Sequence, residues 1–222
     1  MNNLLKHQFI DVVNEMRIGT APEWHSEPNV RYEDINDYLF DVVDSRQEPD
    51  SIKKIYNQGT ASYINGANGN TYNLRFISFD DFLHQFVYDD GMGNTRKSMF
   101  KQHKKMADLL VYNTEDDKKY FIVQELCQGN ASNKRSKAKI QLSSTVNILC
   151  SRSREISDYI TSFPNKICYL SIKEEQVPTP NNIADGFMEA YNVIPEKIPF
   201  KYGQIGTYGF TAYETRIVKL EK

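Results

Sequence analysis

Two short apolar runs, DLLVYN (residues 108–113) and KYFIVQEL (residues 119–126), are joined by the polar connection TEDDK. Both are rich in β-branched and aromatic residues, and the link is short, which predicts an antiparallel hairpin. No other stretch restricts the fold as much. In such a hairpin the start of the first strand lies beside the end of the second, so Asp108 and Glu125 become close neighbours. Alternation along the second strand puts Glu125 and Cys127 on one face and Gln124 and Leu126 on the other.

Two carboxylates brought together repel, and the usual remedies are a shared proton or a cation. Magnesium prefers oxygen ligands, keeps several waters, and is commonly held by one or two carboxylates together with substrate phosphate oxygens. A metal so held activates water and offsets charge on a phosphate under attack. A nearby lysine would add to that stabilisation.

The neighbouring elements suggest how the hairpin is covered. LLKHQFIDVVNEMR, residues 4–17, spaces its apolar residues as an amphipathic helix, and Ile35, Tyr38, Leu39 and Val42 predict a second helix over residues 33–43. NQGTASYINGANGNTYN reads as turns with a short hairpin through NG or GN. LRFISF, residues 74–79, reads as a strand, and DDFLHQFVYDD as a short helix capped by Asp80 and Asp81, with service of one of them as an extra metal ligand as the alternative. After the hairpin, residues 137–150 place Ala138, Leu142, Val146 and Leu149 on one helical stripe. A helix over residues 153–163 and the strand KICYLSI, residues 166–172, follow. VPTPNN is a break, IADGFMEAYNVI reads as helical, and the Gly- and aromatic-rich tail suits short strands. The order implies an α/β protein, a mixed central sheet flanked by helices.

This ensemble resembles the PD-(D/E)XK superfamily, the restriction-endonuclease-like nucleases, whose core is an α-β-β-β-α-β unit. "MAD", ending in Asp108, matches the first acid with Ala107 in place of proline. "QELC" matches the second half, with Glu125 as the acid and Cys127 where the motif lysine belongs. The resemblance covers residues 74–172, leaving an N-terminal helical region, 1–56, and a C-terminal helix plus strands, 181–222, as additions to a single domain, 1–222. It implies a metal-dependent phosphodiesterase acting on DNA or RNA, with Mg2+ or Mn2+ held by Asp108 and Glu125. Some members supply the lysine from the following helix, where this chain has Lys137 and Lys139, with Lys137 preferred. Gln141, one turn from Lys137, resembles a helix glutamine found in some branches. The alternative is a catalytically inactive nuclease-fold module that binds nucleic acid or a protein partner. Cutting both strands would suit a homodimer, though no dimer motif is visible.

A net charge of −2 argues against coating nucleic acid by bulk attraction. The cations are nevertheless clustered. Arg96, Lys97, Lys101, Lys104 and Lys105 precede Asp108, while Lys134, Arg135, Lys137 and Lys139 follow Glu125; both groups are candidates for phosphate contacts, with a solvated charged face as the competing reading. The 3 cysteines and 4 histidines show no zinc spacing. Cys127 reads as a small buried hydrophobe rather than a nucleophile. Trp24 and the 14 tyrosines read mostly as core or rim, although tyrosines in the tail could stack on bases. No apolar run is long enough to span a bilayer and the N-terminus lacks a signal pattern, so a cytoplasmic protein without membrane partners is expected.

Overall fold

The structure, a computed structural model, describes residues 1–44, 51–53, 56, 58–89, 96–99, 106–128, 131–173 and 197–222. Four helices are described: α1 (Asn2–Glu15), α2 (Phe79–His84), α3 (Ala131–Ser151) and α4 (Arg154–Thr161). The strands of the first half are β1 (Tyr32–Ile35), β2 (Leu39–Val43), β3 (Ser51–Lys53), β4 (Ala61–Asn65), β5 (Leu74–Ser78), β6 (Val87–Asp89) and β7 (Arg96–Ser98). Those of the second half are β8 (Leu109–Asn113), β9 (Tyr120–Gln128), β10 (Asn165–Lys173), β11 (Ile198–Pro199), β12 (Thr211–Glu214) and β13 (Ile217–Leu220).

A 7-stranded mixed sheet runs β1-β5-β8-β9-β10-β12-β11, and a 4-stranded sheet runs β13-β4-β2-β3. The hairpin read from the sequence is β8–β9, antiparallel, with Leu109 opposite Gln124 and Leu110 opposite Val123. β10 then lies parallel to β9, reached through α3 and α4. Such a parallel neighbour requires a long crossover connection, which these helices provide.

Alternation along the central strands decides what covers each face. Phe121, Val123 and Cys127 of β9 and Leu110 and Tyr112 of β8 enter the core shared with α1, α2, α3 and α4. Ile122 and Leu126 of β9 and Leu109 and Val111 of β8 enter a second core shared with β2, β4 and β13. Among the described residues the helices therefore cover one face of the large sheet and the small sheet covers the other. α3 belongs to the first core through Ala138, Leu142, Val146 and Leu149. Leu142, Val146 and Leu149 each contribute roughly 1.5–3 kcal/mol by leaving water, before conformational entropy is set against it, and Ala138 less.

Residues 33–43 do not form the helix that their apolar spacing predicts. They form β1 and β2, pairing with β5 and β4 respectively. The N-terminal region 1–56 is thus helical only at α1 among its described residues. The Gly- and Asn-rich stretch likewise contains β4, after which Gly66, with φ 74°, opens the turn that leads toward β5. The expected helix over IADGFMEAYNVI lies outside the described residues. Among the described residues no helix is long and apolar enough to cross a membrane.

Candidate active site

The segment Met106–Asp108, which leads into β8, is fixed from two sides. The Met106 carbonyl accepts from Gln141 Nε2 at 2.9 Å, and the Ala107 N–H donates to Thr145 Oγ1 at 2.7 Å, so α3 holds this segment. The Asp108 carbonyl accepts the N–H groups of Phe79 at 2.7 Å and Asp80 at 3.3 Å, which joins the start of α2 to the same point. Continuing the β8–β9 register by one step places Asp108 opposite Glu125. The Asp108 side chain meets β9 there, its Oδ2 accepting the Leu126 N–H at 2.6 Å. Both acids have the strand parity of the residues facing the helices.

Asp108 and Glu125 share a cleft of about 440 Å³ with Asp44, Asp80, His84, Lys134, Lys137 and Gln141. Glu125 is only 4% exposed, and its Oε2 has no hydrogen-bond partner. Burial pushes its carboxyl well above the ordinary glutamate range; the charges of Asp108, Asp80 and Asp44 add to that, and Lys137 opposes it. Burial also raises the Asp80 carboxyl, with Asp81 adding to the effect and His84 and Lys137 opposing it. His84 Nδ1 lies 3.4 Å from Asp80 Oδ2.

Cys127 lines the same cleft, two residues beyond Glu125. Burial, with help from Glu125 and Asp108, pushes its thiol up to about 12, so at neutral pH it is an uncharged thiol. It can neither replace a lysine ammonium nor act as a ready nucleophile. Lys137 is exposed on α3 and lines the cleft, whereas Lys139 turns its Nζ over the Phe200 ring at 4.8 Å. The structure thus brings Lys137 to the acids and not Lys139.

No protein-family model, curated protein or solved structure matches this chain.

The remaining basic candidates separate. Lys134 lines the cleft and donates to the Gln128 carbonyl. Arg135 pairs with Glu214 at 2.8 Å. Lys97 is exposed on β7, where only the backbone of Arg96 is described, and Lys101, Lys104 and Lys105 lie outside the described residues. Asp80 does not cap α2 through its side chain; the N-cap is Ser78, without a side-chain bond, and Asp80 turns into the cleft instead. Sequence reading missed Asp44 and His84 as cleft residues. The acids at positions 80 and 81 were the one local signal for the α2 side of the site.

The donor set bears on which cation fits. Among the described residues no three His, Cys, Asp or Glu side chains are grouped closely enough to hold a metal ion. Magnesium needs no such group, because one or two carboxylates and retained waters suffice. The unpartnered Oε2 of Glu125, buried beside other acids, is a donor that a hard divalent cation would satisfy. A soft metal would have to displace the proton of Cys127, a cost that a hard cation on Glu125 and Asp108 does not meet there.

Proposed function

We propose that this chain is a metal-dependent phosphodiesterase, a nuclease of the restriction-endonuclease-like type acting on DNA or RNA. The observation that carries the reading is Glu125, buried in the cleft beside Asp108 with an unpartnered oxygen. The sheet order supports it: β5, the β8–β9 hairpin, α3 and β10 follow the order of the nuclease core. Asp108 and Glu125 would hold Mg2+ or Mn2+.

What the ion supplies when bound is a more acidic water and positive charge opposite the phosphate. Leu126 N–H fixes the Asp108 carboxylate, so one acid is oriented before any ligand arrives. Lys137 brings an ammonium to the same cleft from α3, where it offsets charge that grows on the phosphate oxygens during attack. Gln141 spends its amide nitrogen on Met106, which makes it a support for the Asp108 segment rather than a free phosphate donor.

Plasmid, single-stranded DNA and RNA, each incubated with Mg2+ or Mn2+, should be cut by the wild-type protein on at least one substrate and not by Glu125→Ala. Mn2+ should also raise the melting temperature of the wild type and leave that of Glu125→Ala unmoved. Equal activity or equal inactivity of the two proteins on every substrate removes the proposal. A second reading, a binding module that has lost catalysis, draws on the neutral Cys127 in the lysine position. It requires nucleic-acid binding in EDTA and no cleavage with either metal.

A further inference from the structure

On the other flank of α3 from the cleft, the tail of the chain forms a groove of about 630 Å³. Lys137 and Gln141 face the cleft, while Ser143 Oγ accepts from the Gln204 N–H and Lys139 lies over Phe200, so the helix stands between the two sites. Phe200 and Tyr202 line the groove, and among the described residues Lys201 is the one charged residue in its wall and no acid lines it. A further lysine sits at its Phe200 ring, Lys139 Nζ lying 4.8 Å from the centroid. Tyr202 is 38% exposed. Among the described residues, the side chains of Lys201 and Tyr202 make neither hydrogen bond nor ion pair.

We infer that this groove binds single-stranded nucleic acid, with unpaired bases stacking on its aromatic rings and Lys139 and Lys201 meeting the phosphates. The inference rests on the nucleic-acid reading of the cleft and narrows its substrate class. Charge decides the class of ligand, since Lys139 and Lys201, with no acid among the described lining residues, favour a polyanion. The rings decide the form of that ligand. A base can lie flat on a side-chain ring only when it is free of its duplex stack, and such stacking tolerates any sequence. A base arriving at Phe200 frees the Lys139 ammonium above that ring, which then has a phosphate to meet.

The test is fluorescence anisotropy of the full chain in EDTA with a labelled 20-nucleotide oligothymidylate and a duplex of equal length. Oligothymidylate should bind more tightly than duplex, and Tyr202→Ala and Lys201→Ala should each weaken it about tenfold. Lys219→Ala, an exposed charge on β13, serves as the control for bulk attraction and should bind as the wild type does. Tyr202→Ala and Lys201→Ala alter exposed side chains, and their melting temperatures should match the wild type. Binding unaffected by both variants, equal losses in the Lys219→Ala control, or no binding of oligothymidylate each overturn the groove assignment. Because no cleavage is needed, the two readings fail separately. Metal-dependent cutting with a groove that does not matter defeats this inference alone, and groove-dependent binding without cutting defeats the nuclease reading alone.

Discussion

Glu125 carries a cost as an anion that a bound proton or a cation would remove. Its carboxyl is 4% exposed and held well above the ordinary glutamate range, by burial first and then by Asp108, Asp80 and Asp44. Between the unfolded and folded pKa values the native state keeps a proton that the unfolded chain has lost, so stability falls as pH rises through that window. In EDTA the melting temperature should therefore drop from pH 5 to pH 7.5, and Glu125→Gln should flatten the slope. At pH 7.5 that variant should gain about 1 kcal/mol, roughly 2–4 °C, because a buried ionisable group without a partner has been replaced by a neutral one. Calorimetry across the pH series checks this; a Gln variant less stable than wild type at pH 7.5 would count against an orphaned acid. The lysines divide on a simpler measurement. Lys137→Ala should lower kcat about a hundredfold, the scale of losing one preorganised donor to a developing charge, while Lys139→Ala should leave kcat on a short dinucleotide substrate near the wild-type value. The acid pair was legible in the sequence because a hairpin register is a local property. Asp44 and His84 were not, because they reach the cleft from β2's end and from α2, and only tertiary packing brings those elements to the β8–β9 strand ends.

At the level of elements, α3 does two tasks with two stripes. Ala138, Leu142, Val146 and Leu149 fill the core, and Gln141 and Thr145 fasten the segment that presents Asp108. Thr145 is fully buried, and its Oγ1 accepts the Ala107 N–H at 2.7 Å. Thr145→Val keeps the shape and removes the acceptor, leaving a buried N–H unsatisfied, so it should cost about 1–3 kcal/mol in a denaturant titration. A larger share of the damage should appear in kcat than in substrate affinity, because Asp108 is the side chain set loose. A variant as stable and active as wild type would mean that the segment holds itself. The core stripe of α3 was readable because Ala138, Leu142, Val146 and Leu149 repeat at a helical period over many turns. Residues 33–43 were misread for the opposite reason. Ile35, Tyr38, Leu39 and Val42 fit a helical period over only eleven positions, and the pairing of β1 with β5 and β2 with β4 overrode it.

At the level of the molecule, each sheet joins strands from distant parts of the sequence. β13 is the last strand, yet it lies parallel to β4, with Val218 opposite Tyr63, and closes a small sheet begun at β2. A buried network then crosses to the large sheet: Tyr63 Oη donates to Gln124 Oε1 at 2.5 Å, and Gln124 Nε2 donates to Ser171 Oγ at 3.0 Å. Neither core can form alone, because the central strands β8, β9 and β10 supply side chains to both. Unfolding should therefore be a single transition. Trp24 makes this testable, since it is the chain's only tryptophan and it packs against Phe86 on the helical side, with ring centroids 5.2 Å apart. Leu220 is fully buried in the other core. Leu220→Ala should cost about 2–5 kcal/mol through lost burial and the cavity left behind. Because the transition is shared, the urea midpoint read from Trp24 fluorescence should fall by the same amount as that read from far-UV circular dichroism, although the deleted methyl groups lie across the sheet from the tryptophan. Separate midpoints for the two signals, or a Trp24 curve that the substitution leaves in place, would show that the helical layer holds together without the small sheet.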